Sequence, residues 1–380
     1  MDSSRIRKMT ALFATTVLVV VIAFAAVAYG ANSRAVNKQK ADSAKDFGGM
    51  KALIKAAKKE GKLNTIALPA MWANYGVIMK RFQKKYGIKI TNAQPEASSQ
   101  EEINAVLQLK GTSRMPDVLD LGANVALANT KLYAPYKVAN WKHIPKGLKD
   151  SKGRWYADYT GYMAIGYDAN VVKPAPTSVK SLSNAAYKGM VFLNGDPTAA
   201  AAAFNGVVMA SLANGGSPNN MQPGITFFKN LKASGNFQTV NPTAATIAAG
   251  QTPIVIDWDY NQLGAKNSLP QGSSINWKWI VPKNNVVSSY YIQAIVKGCP
   301  HPAAARLWQE FLYSNAKDGG QNEFLRGGAH PVLQQWMTKT GTIDKKTLNK
   351  MPKVTGTPVQ LTQAQVAKGQ ALCAQQWPNL

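Results

Sequence analysis

Residues 63–90 read LNTIALPAMWANYGVIMKRFQKKYGIKI, and this stretch sets the fold class. Leu63 to Leu68 is a short apolar run of strand length, and Pro69 breaks it. Ala73 to Tyr86 then carries apolar residues at helical spacing until Gly87 stops the helix. Ile88 to Ile90 opens a further strand. Strand, helix and strand in such close succession predict a parallel sheet with helices on both faces. Upstream, Met50, Leu53, Ile54 and Ala57 share one helical face ended by Gly61. Downstream, the pattern predicts a helix from about Gln100 to Lys110, a strand at Asp117 to Leu121 and a helix near Val125 to Lys131. The result is a Rossmann-like α/β lobe over residues 48–160.

The alternation restarts after the strand-like stretch Tyr162 to Tyr167. A strand at Met190 to Leu193 leads into an alanine-rich helix from about Thr198 to Leu212, stopped by Gly215 and Gly216. A helix at Pro223 to Lys232 and a short apolar strand at Pro253 to Ile256 complete a second α/β lobe over residues 161–289. A strand at Tyr290 to Val296 heads back and is followed by a helix from Pro302, so residues from about 290 to 330 rejoin the first lobe. Residues 331–380 are expected to be a helical segment packed on the lobes. Thr160 to Gly166 and Tyr290 to Ile295 are the two crossings, and two crossings make a hinge.

At the start of the chain, Arg5, Arg7 and Lys8 precede an apolar core from Val17 to Val27 and then the small residues Ala28, Gly30 and Ala31. This is the order of a secretory signal peptide over residues 1–30, with an uncleaved anchor as the alternative. Residues 31–47 are polar and lack periodicity, and are read as a disordered leader. No cysteine follows the apolar run, which removes the usual lipid anchor. Export to the periplasm or cell surface is expected, with retention by the N-terminal segment if it is not cleaved. Cys299 and Cys373 are the two cysteines of the chain; in an oxidising compartment they either form one disulfide or stay as two buried thiols.

The formal net charge is +25, from 44 Lys and Arg against 19 Asp and Glu. The basic residues are scattered over predicted helices, as at Lys51, Lys55, Lys58 and Lys59. They form no stripe interleaved with stacking aromatics, which argues against nucleic acid as a partner. The chain has no G-x-S-x-G, P-loop, H-E-x-x-H or C-x-x-C motif. His143, His301 and His330 lie in predicted loops near prolines and suit turn-shaping better than base catalysis. Neither a nucleophile nor a base can be nominated, so the chain is read as a non-enzyme with no cofactor. A hydrolase and a cationic envelope-binding protein stay as lesser alternatives.

Five segments then carry a resemblance: Ala67 to Gly76 (ALPAMWANYG), Pro116 to Gly122 (PDVLDLG), Leu193 to Thr198 (LNGDPT), Ile254 to Tyr260 (IVIDWDY) and Ala294 to Tyr313 (AIVKGCPHPAAARLWQEFLY). In this order the chain resembles bacterial extracellular solute-binding proteins of ABC transporters, in the broad group that includes polyamine, ferric-iron and phosphonate binders. The resemblance implies a two-lobed fold of the type II periplasmic-binding-protein kind, a small ligand held in the cleft between the lobes, no catalysis, and docking of the closed form, a monomer, onto a membrane permease.

In open α/β sheets ligands sit beyond the carboxyl ends of strands, where helix N-termini point inward. That rule selects Trp72, Asn74 and Tyr75 after the first strand. It also selects Ser98 and Ser99 at a helix start, where Ser98 with Glu101 or Ser99 with Glu102 makes a capping box. Asn124 lies beyond the Asp117 to Leu121 strand, and Asp196 and Thr198 beyond the Met190 to Leu193 strand. Each of these also suits plain capping or covering of a sheet end. Asp257, Trp258, Asp259 and Tyr260 are the densest acidic and aromatic cluster, offering charge and a π face to an ammonium group. On the hinge strand, one of Tyr290 and Tyr291 faces the cleft, because strand neighbours point to opposite sides. Polyamine binders carry an acid at the place matching Asp196, but their second acid one turn later is alanine here. Ferric-iron binders carry tandem tyrosines nearer the position of Trp258 to Tyr260. An organic cation such as a polyamine is therefore the first expectation for the ligand, and ferric iron or an anion such as a phosphonate the second.

Overall fold

The structure is a computed structural model that describes residues 37–351 and 354–380. The expected signal segment, and residues 31–36 of the expected leader, lie outside the described residues. Strands run in chain order as β1 (Lys62–Ile66), β2 (Lys89–Ala93), β3 (Val118–Gly122), β4 (Tyr133–Ala134), β5 (Tyr156–Asp168), β6 (Val191–Leu193), β7 (Phe237–Gln238), β8 (Ile254–Trp258), β9 (Trp277–Ile280), β10 (Ser288–Val296) and β11 (His330–Pro331). The longer helices are α1 (Met50–Glu60), α2 (Tyr75–Tyr86), α3 (Ser99–Gln108), α4 (Ala201–Ala213), α5 (Gln222–Ala233), α6 (Asp259–Asn267), α7 (Pro302–Leu312) and α8 (Gln363–Gln376). Among the described residues no helix is long and apolar enough to cross a membrane.

Two α/β lobes share the long strand β5. Its first half pairs antiparallel with β10, which in turn pairs antiparallel with β3. Its second half pairs antiparallel with β8 and β9, and β8 continues through the parallel partner β6 to β7. β1 and β2 form a parallel pair of their own in the first lobe. The sheet is thus mixed, where sequence alternation predicted parallel strands: the crossing strands β5 and β10 enter each lobe against the direction of its neighbours.

α4 is apolar on every side and buried from Ala201 to Ser211, as a helix pressed between sheet and neighbours must be. Gly206 sits where it passes β6, since a Cβ there would lie 2.5 Å from Leu193 Cδ1. α4 begins at Ala201, three residues later than expected, because Asp196 and Thr198 close a turn of their own: Thr198 N–H donates to Asp196 Oδ1 at 2.7 Å.

The expectation of disorder through residue 47 is corrected by the structure. From residue 37 the chain packs on the first lobe, with Ala41 and Phe47 buried and a short 3-10 helix at Ala44–Phe47. Its backbone satisfies Arg306, which is fully buried and donates to Ala41 O at 2.7 Å, Gln39 O at 3.1 Å and Pro302 O at 2.9 Å. A polar segment is ordered here because a buried guanidinium needs its carbonyls. The cysteines are both buried and unpaired. Cys299 sits beside Asp117 in the first lobe and Cys373 is on α8, which packs on α5 of the second, so the disulfide alternative does not hold.

Candidate functional site: an acidic cleft between the lobes

Between the lobes lies a cavity of about 560 Å³. The first lobe contributes Trp72, Glu96 to Glu102, Asn104 and Asp120, and β10 contributes Tyr291. Leu193 to Asp196, the start of α4 and Phe237 to Thr239 form the opposite wall, with Trp377 beside Phe237. Trp72 meets Tyr291 edge to face, with ring centroids 6.4 Å apart. Among the described residues no lysine, arginine or histidine lines this cavity, whereas five acidic side chains do: Glu96, Glu101, Glu102, Asp120 and Asp196.

The structure brings together some of the residues expected from sequence. Trp72, Ser98, Ser99, Asp196 and Tyr291 line the cavity. Of the two capping boxes, Ser98 with Glu101 forms: the Glu101 carboxylate accepts the Ser98 N–H at 2.7 Å, and Ser98 Oγ accepts the Glu101 N–H at 3.4 Å. Ser99 instead accepts the Gly122 N–H at 3.0 Å, tying α3 to the end of β3. Asp257 lines a narrow crevice that continues from the cavity past Trp72, Glu96 and Asn194. Its carboxylate accepts Trp258 N–H at 2.7 Å, Asn194 Nδ2 at 2.7 Å and Asn261 Nδ2 at 3.0 Å, and burial still pushes its pKa up to about 7.

Other expected residues lie elsewhere. Asn74 donates to Glu323, and Tyr75 is fully buried with its hydroxyl on Asp158, so neither reaches the cavity. Thr198 serves the Asp196 turn. Asn124 and Tyr290 face a separate crevice beside Phe204 and Leu361, behind the hinge. Trp258 and Tyr260 are core residues, each 1% exposed and stacked on one another at 6.2 Å. Asp259 points away from the cleft, accepting the N–H groups of Tyr162 and Tyr260 at 3.0 Å, and burial raises it to about 7. The cluster Asp257 to Tyr260 is split because β8 ends at Trp258 and Asp259 opens α6: the chain turns between the two acids, which a continuing strand would have kept on one face. Tyr290 and Tyr291 likewise diverge and do not form a joint metal-binding pair. Among the described residues no group of three or more His, Cys, Asp and Glu converges as a metal site.

Sequence reasoning missed Glu96, Asp120, Asn194, Phe237 and Trp377. A signal existed for Asp120 alone, as the one acid inside the otherwise apolar strand Val118-Leu119-Asp120-Leu121. Phe237 and Trp377 lie far apart in the chain, and only folding places them on one wall.

Two lobes on a shared strand pair, with a cleft between them lined by helix starts and aromatics, define a hinged ligand-binding protein. Residues 114–341 match the model of the bacterial extracellular solute-binding proteins, and the chain belongs to that family. Solved structures of similar fold include a periplasmic thiamin-binding protein (17% identity, TM-score 0.63, covering 84% of this chain and 95% of that one). They also include the fructose-6-phosphate-bound periplasmic binding protein AfuA from Actinobacillus pleuropneumoniae (15%, 0.59, 84% and 97%). A third is iron-bound HitA from Pseudomonas aeruginosa (17%, 0.57, 84% and 98%). At such identity the likeness carries the fold and not the ligand. No curated protein sequence matches the chain significantly.

Proposed function

We propose that this protein captures an organic cation, of which a polyamine is the model, in the interlobe cleft and delivers it to an ABC importer in the membrane after export. The observation that carries this reading is the charge of the cleft. A chain with 44 basic and 19 acidic residues places five acidic side chains and, among the described residues, no basic one around this cavity. Within it, Trp72, Phe237, Tyr291 and Trp377 offer apolar and π surface to the body of an amine. A unit charge 4 Å from one carboxylate gains roughly 4 kcal/mol at an effective dielectric of about 20. An anion would meet the same field with opposite sign. The α3 start, where an anion would sit, already holds the Glu101 carboxylate.

Capture follows from contacts to both lobes. Asp120 and Trp72 stand on one side and Asn194 and Asp196 on the other, so a cation spanning them binds the closed form better than the open one. Only that differential moves the hinge equilibrium. Delivery to a permease and action as an exported monomer rest on family membership. The test is a thermal-shift panel of putrescine, spermidine, ferric citrate, 2-aminoethylphosphonate and phosphate. Stabilisation by amines alone supports the reading; stabilisation by the anions or ferric citrate alone refutes it.

A further inference from the structure

Four of the five cleft carboxylates have local roles or solvent. Glu101 holds the Ser98 cap, Glu102 accepts the Asp120 N–H at 3.1 Å, Asp196 closes a turn on Thr198, and Glu96 stands exposed at the rim. Asp120 differs. It sits within β3, is 4% exposed, and lines the cavity floor with Tyr291. Its Oδ2 accepts the Tyr159 hydroxyl at 3.1 Å, but its Oδ1 has no hydrogen-bond partner among the described residues.

The groups packed around Asp120 are acids and neutral side chains. Asp158 and Tyr159 face it from β5, Gln293 and Tyr291 from β10, Tyr75 from α2 and Glu102 from α3, with the Tyr260 and Tyr313 rings beyond. Tyr75 donates to Asp158 Oδ2 at 3.1 Å and accepts Gln293 Nε2 at 2.9 Å, which joins the pair to both hinge strands. Among the described residues no lysine, arginine or histidine joins them. Two buried carboxyls this close, without a cation, cannot both ionise.

Resting on the cation reading of the cleft, we infer that Asp120 receives the ammonium end of the ligand and that capture expels one proton from the Asp120–Asp158 pair. Charge balances: one ammonium enters, one proton leaves the pair for solvent, and Asp120 becomes a carboxylate against the ligand while Asp158 keeps its proton. Asp257 is the less suited partner, because its carboxylate already accepts three hydrogen bonds. Burial pushes Asp120 up to about 7 and Asp158 well above the usual carboxylate range, so the pair holds a proton at neutral pH when the cleft is empty. Affinity then falls about tenfold per pH unit below about 7 and levels off above it.

The experiment is titration calorimetry with spermidine, repeated with putrescine, in buffers of different ionisation enthalpy at about pH 6 and about pH 8.5, chosen to bracket the transition. Wild type is expected to release about one proton per ligand at the lower pH and almost none at the higher. Asp120→Asn is expected to abolish the release, flatten the pH profile and weaken binding at least about tenfold at the higher pH, while Asp257→Asn keeps the pH slope. A readout on wild type alone guards against a variant that fails to fold: the protonated-carboxyl infrared band of the ligand-free protein at about pH 6 should diminish on adding spermidine. Binding without proton exchange, a band that does not change, or an Asp120→Asn protein with unaltered affinity and proton count overturns the inference and leaves the cation reading standing. Absence of binding by either amine removes the cation reading, and this inference with it.

Discussion

Gly122 ends β3 in the first lobe and lies against Ala201, the first residue of α4 in the second. A Cβ built on Gly122 would sit 2.1 Å from Ala201 Cβ and 3.0 Å from Asn124 Oδ1. Apolar carbons in contact prefer about 3.5–4.0 Å, so Gly122→Ala requires the two lobes to part locally by roughly 1.4–1.9 Å. Backbone strain does not enter, since Gly122 has φ −58°, open to any residue. Overpacking of this size costs about 1–3 kcal/mol. Because the clashing atoms belong to different lobes, opening the hinge relieves the clash, and the cost falls on the closed form. At 1.4 kcal/mol per tenfold, affinity for a ligand bridging the lobes should drop roughly 5- to 150-fold. The assay is a spermidine titration followed by tryptophan fluorescence, since Trp72 and Trp377 line the cleft, with small-angle scattering to follow opening. The double variant Gly122→Ala/Ala201→Gly removes the clashing methyl and should recover most of the loss. A Gly122→Ala protein with affinity within about twofold of wild type and an unchanged scattering profile would refute the reasoning, since such a change is worth less than about 0.5 kcal/mol.

Asp259→Ala should leave spermidine affinity within about twofold, because the side chain faces Tyr162 and not the cleft, and should lower the melting temperature by stranding the Tyr162 and Tyr260 N–H groups. Arg306→Met should strand the Ala41 and Gln39 carbonyls at roughly 1–3 kcal/mol for each one left dry, and limited proteolysis should then release the segment before Phe47. His301 has its pKa raised, chiefly by its hydrogen bond to Asp117. The stability it contributes is full below its unfolded pKa of about 6.5 and is lost as pH rises through the higher folded value, so the melting-temperature gap between wild type and His301→Gln should shrink from about pH 6 to pH 9. Asp257 and Asp259, raised to about 7 by burial, hold protons in the folded state that the unfolded chain releases near pH 4. Their contribution therefore falls as pH rises between those values, and wild type should melt lower at about pH 8 than at about pH 5.

What the sequence determined by itself was local. The strand–helix alternation from Leu63 onward, its restart after Tyr167, and the crossings near Thr160 and Tyr290 follow from apolar periodicity and from Gly and Pro stops, which act within a few residues. The Ser98–Glu101 cap and the Asp196 turn are local too. What tertiary structure decided was direction and company. The turn from β8 into α6 leaves Asp257 toward the cleft crevice and Asp259 behind it, and the register of β10 on β3 and β5 sends Tyr291 into the cleft and Tyr290 away. Asp120 is an unremarkable strand acid until Asp158, Tyr75 and Gln293 arrive from three other elements. The leader is a polar tail until Arg306, some 260 residues later, needs its carbonyls. Burial and the pairing of charges depend on distances that folding alone sets, and the acidity of the cleft within so basic a chain is the clearest case.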